Sequence, residues 1–111
     1  MIETIVLNYL SEKLKVPCYM EKPEKQPESY VLIEKTSGTE KNKIQYATLT
    51  FQSYGGSLQK AATLNEEVKR VLENITDLDS ISKAKRNSDY NFTDTTTKRY
   101  RYQAVYDFTY F

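Results

Sequence analysis

The stretch RYRYQAVYDFTYF, Arg99 to Phe111, alternates with a period of two. Tyr100, Tyr102, Ala104, Tyr106, Phe108 and Tyr110 make one row, and Arg99, Arg101, Gln103, Val105, Asp107 and Thr109 make the other. Successive side chains of a β-strand point to opposite faces, so the two rows belong to opposite faces of a sheet. The aromatic row has the composition of a face pressed against helices. The Arg/Gln/Val/Asp row then looks toward solvent or a neighbour. Arginine among aromatics is also how single-stranded nucleic acid is held, by stacking and phosphate contact. Here arginine and tyrosine fall on different faces and share no platform, so a structural or protein-contact surface is the stronger reading.

Upstream of this strand, TDTTTK (Thr93 to Lys98) is a link, and ISKAKRNSDYNFT (Ile81 to Thr93) reads as a weak strand with poor alternation. TDLDS before it reads as a turn. Leu58, Ala61, Leu64, Val68, Val71, Leu72 and Ile75 share one broad face, predicting a helix from Leu58 to about Ile75. Glu66, Glu67, Lys69, Arg70 and Glu73 fall mostly outside that face. Gly55-Gly56 breaks the chain ahead of the helix, with Ser57 as its N-cap.

IQYATLTFQSY (Ile44 to Tyr54) is a long strand with Ala47, Leu49 and Phe51 on one face and Ile44, Tyr46, Thr48 and Thr50 on the other. YVLIEKT (Tyr30 to Thr36) is a β-branched, aromatic strand, and SGTEKNK (Ser37 to Lys43) a turn-rich connection, giving an antiparallel hairpin. Ile2, Ile5, Val6, Tyr9, Leu10 and Leu14 predict an amphipathic helix over residues 2–15, ended by Pro17. VPCYM is a short extended segment, and EKPEKQPES an exposed loop. Strand runs separated by one helix argue α+β: a mostly antiparallel sheet of about four to five strands, with two helices on one face, in a single domain over residues 1–111.

A chain of 111 residues can bury one modest core. Its net charge of +1 gives no global basic footprint for nucleic acid. No apolar run is long enough to cross a bilayer, and MIETIVLNYL lacks the basic n-region of a secretory signal. A single cysteine, Cys18, forms no internal disulfide and fits a reducing compartment. NIT at Asn74 and NFT at Asn91 match the glycosylation pattern by chance. The ten tyrosines suit half-buried sheet faces and interfaces, while the absence of histidine removes the commonest general base and metal ligand.

The candidate chemistry is sparse. Cys18 follows a proline, has no histidine to activate it, and reads as a small core residue. Asp77 and Asp79, or Asp89 and Asp94, lack the ligand spacing of a hard-cation loop. SYGGS has neither the P-loop lysine nor dinucleotide spacing and reads as a strand-to-helix turn. No catalytic, cofactor or metal site is therefore expected. The basic segments KAKRN (Lys83 to Asn87) and KRYR (Lys98 to Arg101) leave a small nucleic-acid-binding module as the alternative from another class. The sheet face away from the helices would carry Ile44, Tyr46 and Val105, with either Val31 and Ile33 or Tyr30 and Leu32. That mixture is what a self-associating subunit presents.

Three long segments carry a resemblance: VPCYMEKPEKQPESYVLIEKTSG (Val16 to Gly38), ATLTFQSYGGSLQKAATLNEEVKRVL (Ala47 to Leu72) and SDYNFTDTTTKRYRYQAVYDFTYF (Ser88 to Phe111). Together they resemble small tail-assembly proteins of siphophages and prophages of Gram-positive bacteria, in the tail-terminator (tail-completion, head–tail joining) group. The resemblance implies helices packed on a sheet and a non-enzymatic virion subunit. It also implies a ring, typically hexameric, that caps the tail tube and presents it to the head connector. The implied partners are other copies of the chain, the tube protein and the connector, with no sequence-specific nucleic acid and no membrane. The implied place is the virion tail, assembled in the bacterial cytoplasm. The neighbouring readings are another connector component or the tube protein. The family has no catalytic residues to carry over. The exposed row Arg99, Arg101 and Gln103, with Lys41, Lys43 and Lys98 in adjoining loops, is the expected contact surface.

Overall fold

The computed structural model describes every residue from Met1 to Phe111. In chain order the elements are α1 (Ile2–Lys13), β1 (Cys18–Tyr19), β2 (Tyr30–Lys41), β3 (Ile44–Tyr54), α2 (Leu58–Leu72), a single 3-10 turn (Ile75–Asp77), β4 (Ile81–Asn91) and β5 (Arg101–Tyr110). The fold class is α+β, as the element order implies. The five strands form one sheet in the order β1-β2-β3-β5-β4. Only the short β1 runs parallel to its neighbour; the other pairings are antiparallel. No helix is long and apolar enough to cross a membrane.

The aromatic row of β5 packs under the helices. Ala104, Tyr106, Phe108 and Tyr110 share a core with Ala47, Leu49 and Phe51 of β3 and Val31 and Ile33 of β2. The helices close it with Ile2, Val6 and Leu10 from α1 and Leu64, Val68 and Leu72 from α2. These residues recur at every fourth position, the helical spacing that sets one stripe against the sheet. Phe51 meets Tyr106 edge-on, with ring centroids 5.7 Å apart, so the aromatic row interlocks rather than only stacking.

Several boundaries differ from expectation. α1 stops at Lys13, two residues short of the predicted limit. α2 ends at Leu72, and Ile75 reaches the core from the following 3-10 turn. Lys69, expected on the wet side of α2, is buried because β4 brings Asp89 to it. The largest difference is in the first hairpin. SGTEKNK is not a loop: β2 continues through Lys41, and the turn is Asn42-Lys43 alone. Both turn residues have positive φ, 52° and 67°, the left-handed pair whose twist matches a two-residue hairpin. Ser37, Gly38 and Thr39 resemble a turn only in composition; cross-strand pairing to Ala47 and its neighbours holds them extended. β5 begins at Arg101, so Arg99 and Tyr100 precede it.

SYGGS is the strand-to-helix turn. Ser57 Oγ accepts from the Lys60 backbone N–H at 3.1 Å, capping α2. At Gly55 a Cβ would stand 2.5 Å from the Ala61 nitrogen, so only glycine lets the turn lie this close to the helix.

Candidate interaction surface

The sheet face away from the helices divides into two parts. At the Tyr54 end, residues of the 20–29 segment fold over it. Tyr30 and Tyr54 pair across β2 and β3 and stack at 4.4 Å between centroids, with an interplanar angle of 8°. Together with Leu32 they form a second apolar cluster, with Tyr19 packed against it. The run YVLI thus buries both faces: Val31 and Ile33 toward the helices, Tyr30 and Leu32 away from them. A continuous apolar run without alternation is the sequence signal for this, and it could have been read from YVLI.

Arg99 clasps this end. Its guanidinium lies 5.2 Å from the Tyr54 ring centroid and 5.6 Å from that of Tyr30. It donates to the backbone carbonyls of Pro27 (2.9 Å), Glu28 (3.3 Å) and Gly55 (3.4 Å). These bonds tie the 20–29 segment and the strand-to-helix turn to the terminal hairpin. Arg99 is therefore a structural residue and not the freely exposed contact the alternation suggested. The strand's phase does not reach it: Arg99 sits in an isolated bridge with Asp94, before β5 starts. Burial pushes the Tyr30 phenol above its ordinary value; neighbouring Tyr54 adds to the rise, and Arg99 opposes it.

Arg101 is similarly engaged. Nε donates to the Phe92 carbonyl at 2.6 Å, one terminal nitrogen donates to the Tyr54 hydroxyl at 3.0 Å, and the guanidinium lies 4.4 Å from the Phe92 ring centroid. From Tyr54 an oriented chain of hydrogen bonds runs across the sheet. The Tyr54 hydroxyl donates to Gln52 Oε1 (3.2 Å), Gln52 Nε2 to Gln103 Oε1 (2.9 Å), and Gln103 Nε2 to the Tyr90 hydroxyl (2.5 Å). Gln103 is 8 % exposed, so it too is not the exposed contact expected of it. It sits between Gln52 and Tyr90 because β5 is inserted between β3 and β4. The chain leaves the Tyr90 hydroxyl proton free to donate outward, from a residue 41 % exposed.

Lys41 ends β2, Lys43 lies in the two-residue turn, and both are exposed. Lys41 was expected in a loop; strand pairing with Ile44 places it in the sheet. Lys98 is exposed, in the left-handed region at φ 55°. Lys41 lies at the Ile44 end of β3 and Arg101 at the Tyr54 end, about 30 Å apart at the rise of an extended strand. The six expected contact residues are thus two groups at opposite ends of the sheet, not one patch.

Between the two ends the face reaches solvent through Tyr46 and Thr48 of β3 beside Thr109, Asp107 and Val105 of β5, with Thr50 buried among them. Asp107 is held by Thr48 Oγ1 (2.7 Å) and Asn87 Nδ2 (3.1 Å), which fixes this carboxylate in place. Lys83 and Lys85 border it on β4, opposite Thr109 and Asp107. Tyr46 is 41 % exposed here. Such a surface has the Tyr/Thr/amide composition of a protein contact and no concave pocket with convergent acid–base groups.

Several titratable groups outside this face have local partners. Asp89 accepts from Asn65 Nδ2 (2.7 Å) and Lys69 Nζ (2.9 Å), and Lys69 also pairs with Glu66 (2.8 Å). Burial opposes ionisation of Asp89, but the Lys69 and Asn65 hydrogen bonds outweigh it and hold the carboxyl below its ordinary value. Asp94 accepts from the Thr96 and Thr97 backbone N–H groups, which lower it. Burial pushes the Cys18 thiol up to about 11, away from nucleophilic character. No group of three or more His, Cys, Asp or Glu side chains comes together as a metal set. A scan against protein-family models and a search of curated proteins gave no match to this chain.

Proposed function

We propose that this chain is a non-enzymatic structural subunit of a siphophage tail, of the tail-terminator or head–tail joining type. The observation that carries the reading is the middle of the sheet: a pre-ordered, partly exposed surface of Tyr46, Thr48, Val105 and Asp107, bordered by Lys83 and Lys85. The sequence resemblance supplies the setting. In that setting copies join head-to-tail into a closed ring, since one patch must meet a different patch on its neighbour for a ring to close. The ring occupies the end of the tail tube, blocks further tube subunits, and offers the head connector a docking surface. Assembly would take place in the bacterial cytoplasm and end in the virion. The neighbouring reading, another connector or tube component, uses the same surface with a different partner. Nucleic-acid binding is less well supported, because the guanidinium groups of Arg99 and Arg101 are occupied within the fold.

The test is deletion of the gene in its phage, followed by electron microscopy. Over-long or unattached tails support the terminator reading. A complete absence of tails assigns the chain to the tube, and normal virions end the proposal.

A further inference from the structure

The sheet has a free edge on β2. β1 pairs only with Val31 and Leu32, so the backbone edge from Ile33 to Lys41 has no partner on that side. Every residue from Glu34 to Lys41 is exposed. An unpaired edge of this length is a template for another strand, and proteins usually blunt it or use it.

The sequence along the edge is Glu34-Lys35-Thr36-Ser37-Gly38-Thr39-Glu40-Lys41. Reversed and laid antiparallel against itself, it sets Glu34 opposite Lys41, Lys35 opposite Glu40, the bulged Thr36-Ser37 opposite Thr39, and Gly38 opposite its own copy. Every charge meets its opposite, twice over by symmetry. Directly opposed residues must also share a sheet face, and an uninterrupted strand would place Glu34 and Lys41 on different faces. The bulge between Lys35 and Ser37 corrects this. Glu34 pairs with Thr50 and Lys41 with Ile44, both on the face away from the helices. Lys35 pairs with Leu49 and Glu40 with Gln45, both on the helix side. The register shift thus brings each acid onto the same face as the lysine it would meet. The length fits as well: the partner's Lys41 lies opposite Glu34, just short of the edge that β1 occupies, and its Asn42-Lys43 turn leads away toward its own β3.

We infer that the β2 edge is a self-recognition surface, taking a second copy of this chain in an antiparallel, two-fold strand pairing. The contact is isologous and closes at two copies, so it stands apart from the head-to-tail contacts of a ring and does not depend on the tail reading. It covers the edge and so keeps free subunits from open-ended strand addition. The interface is small, so the dimer forms at high micromolar concentration and weakens with salt.

Sedimentation velocity of the full chain at low salt tests this. The parent should be dimeric at high micromolar concentration. The double substitution Glu34→Lys with Glu40→Lys puts lysine opposite lysine throughout and should weaken the dimer at least about tenfold. Adding Lys35→Glu and Lys41→Glu restores every opposite pair with reversed sign and should restore the dimer. The substituted side chains are solvated, so circular dichroism of all three proteins should coincide. A monomeric parent, a double variant that stays dimeric, or a fourfold variant that stays monomeric would each overturn the inference.

Discussion

Replacing Arg99 with alanine separates the two readings of this residue. If Arg99 is a free contact, its loss leaves the folded chain as stable as before. The structure gives it a bonding role instead. The Pro27 bond at 2.9 Å is charge-assisted and short, worth about 1.5–3 kcal/mol. The bonds to Glu28 and Gly55, at 3.3 and 3.4 Å, are long and add little. Contact with the stacked Tyr30 and Tyr54 rings adds about 0.5–1 kcal/mol for a partly exposed cation. The expected loss is therefore about 3 kcal/mol, and for a domain of this size a fall in Tm of about 12 °C. Arg99→Lys keeps the charge but not the planar fork, and should recover about 1 kcal/mol of the loss. Urea unfolding followed by circular dichroism and tyrosine fluorescence measures this, with the denaturant slope unchanged if the native state keeps its shape. A loss below about 0.5 kcal/mol for Arg99→Ala, typical of a solvated side chain, would refute the clasp and return Arg99 to the contact surface.

Asp89→Asn should cost about 1 kcal/mol at neutral pH, the discounted worth of a carboxylate 24 % exposed beside Lys69. Because the folded-state value of Asp89 is lowered, its stabilisation is present above about pH 4 and is lost as pH falls through the folded value; urea midpoints between neutral and acid pH should decline less in the variant. Lys69 shows the opposite sign: its value is raised, by Glu66 first and then Asp89, so its contribution is lost only as strongly alkaline pH rises through the folded value. Cys18 should react with a thiol reagent at mildly alkaline pH far more slowly in the folded chain than in urea, since burial holds the thiol protonated; absorbance of the released chromophore reads both rates. Phe51→Ala should cost about 3–5 kcal/mol in the same urea assay, whereas Tyr46→Ala should stay within about 0.5 kcal/mol and, on the proposed function, act on assembly instead of stability.

How far the sequence could be read follows from the range of each signal. The period-two row of β5 assigned its core face correctly because alternation is a property of the strand itself. The same rule failed at Arg99, two residues before the pairing of β5 begins. Composition misplaced Ser37 to Lys41, since glycine and serine signal a turn only where no neighbouring strand holds them extended, and here β3 does. β4 looked weak because it is an edge strand whose exposed positions, Lys83, Lys85 and Arg86, need no apolar alternation.

The sequence by itself determined the two helices, the Ser57 cap, and which rows of β3 and β5 meet the helices, because those depend on spacing along one segment. Only the tertiary structure decided what the polar residues do. Gln103 joins Gln52 to Tyr90 because β5 lies between β3 and β4, an order that no local pattern encodes. Lys69 is buried because β4 delivers Asp89 across the layer. Arg99 is occupied because chain segments distant in sequence bring three carbonyls and two rings to one guanidinium. A polar side chain's role is set by the partner it finds, and that partner comes from elsewhere in the chain.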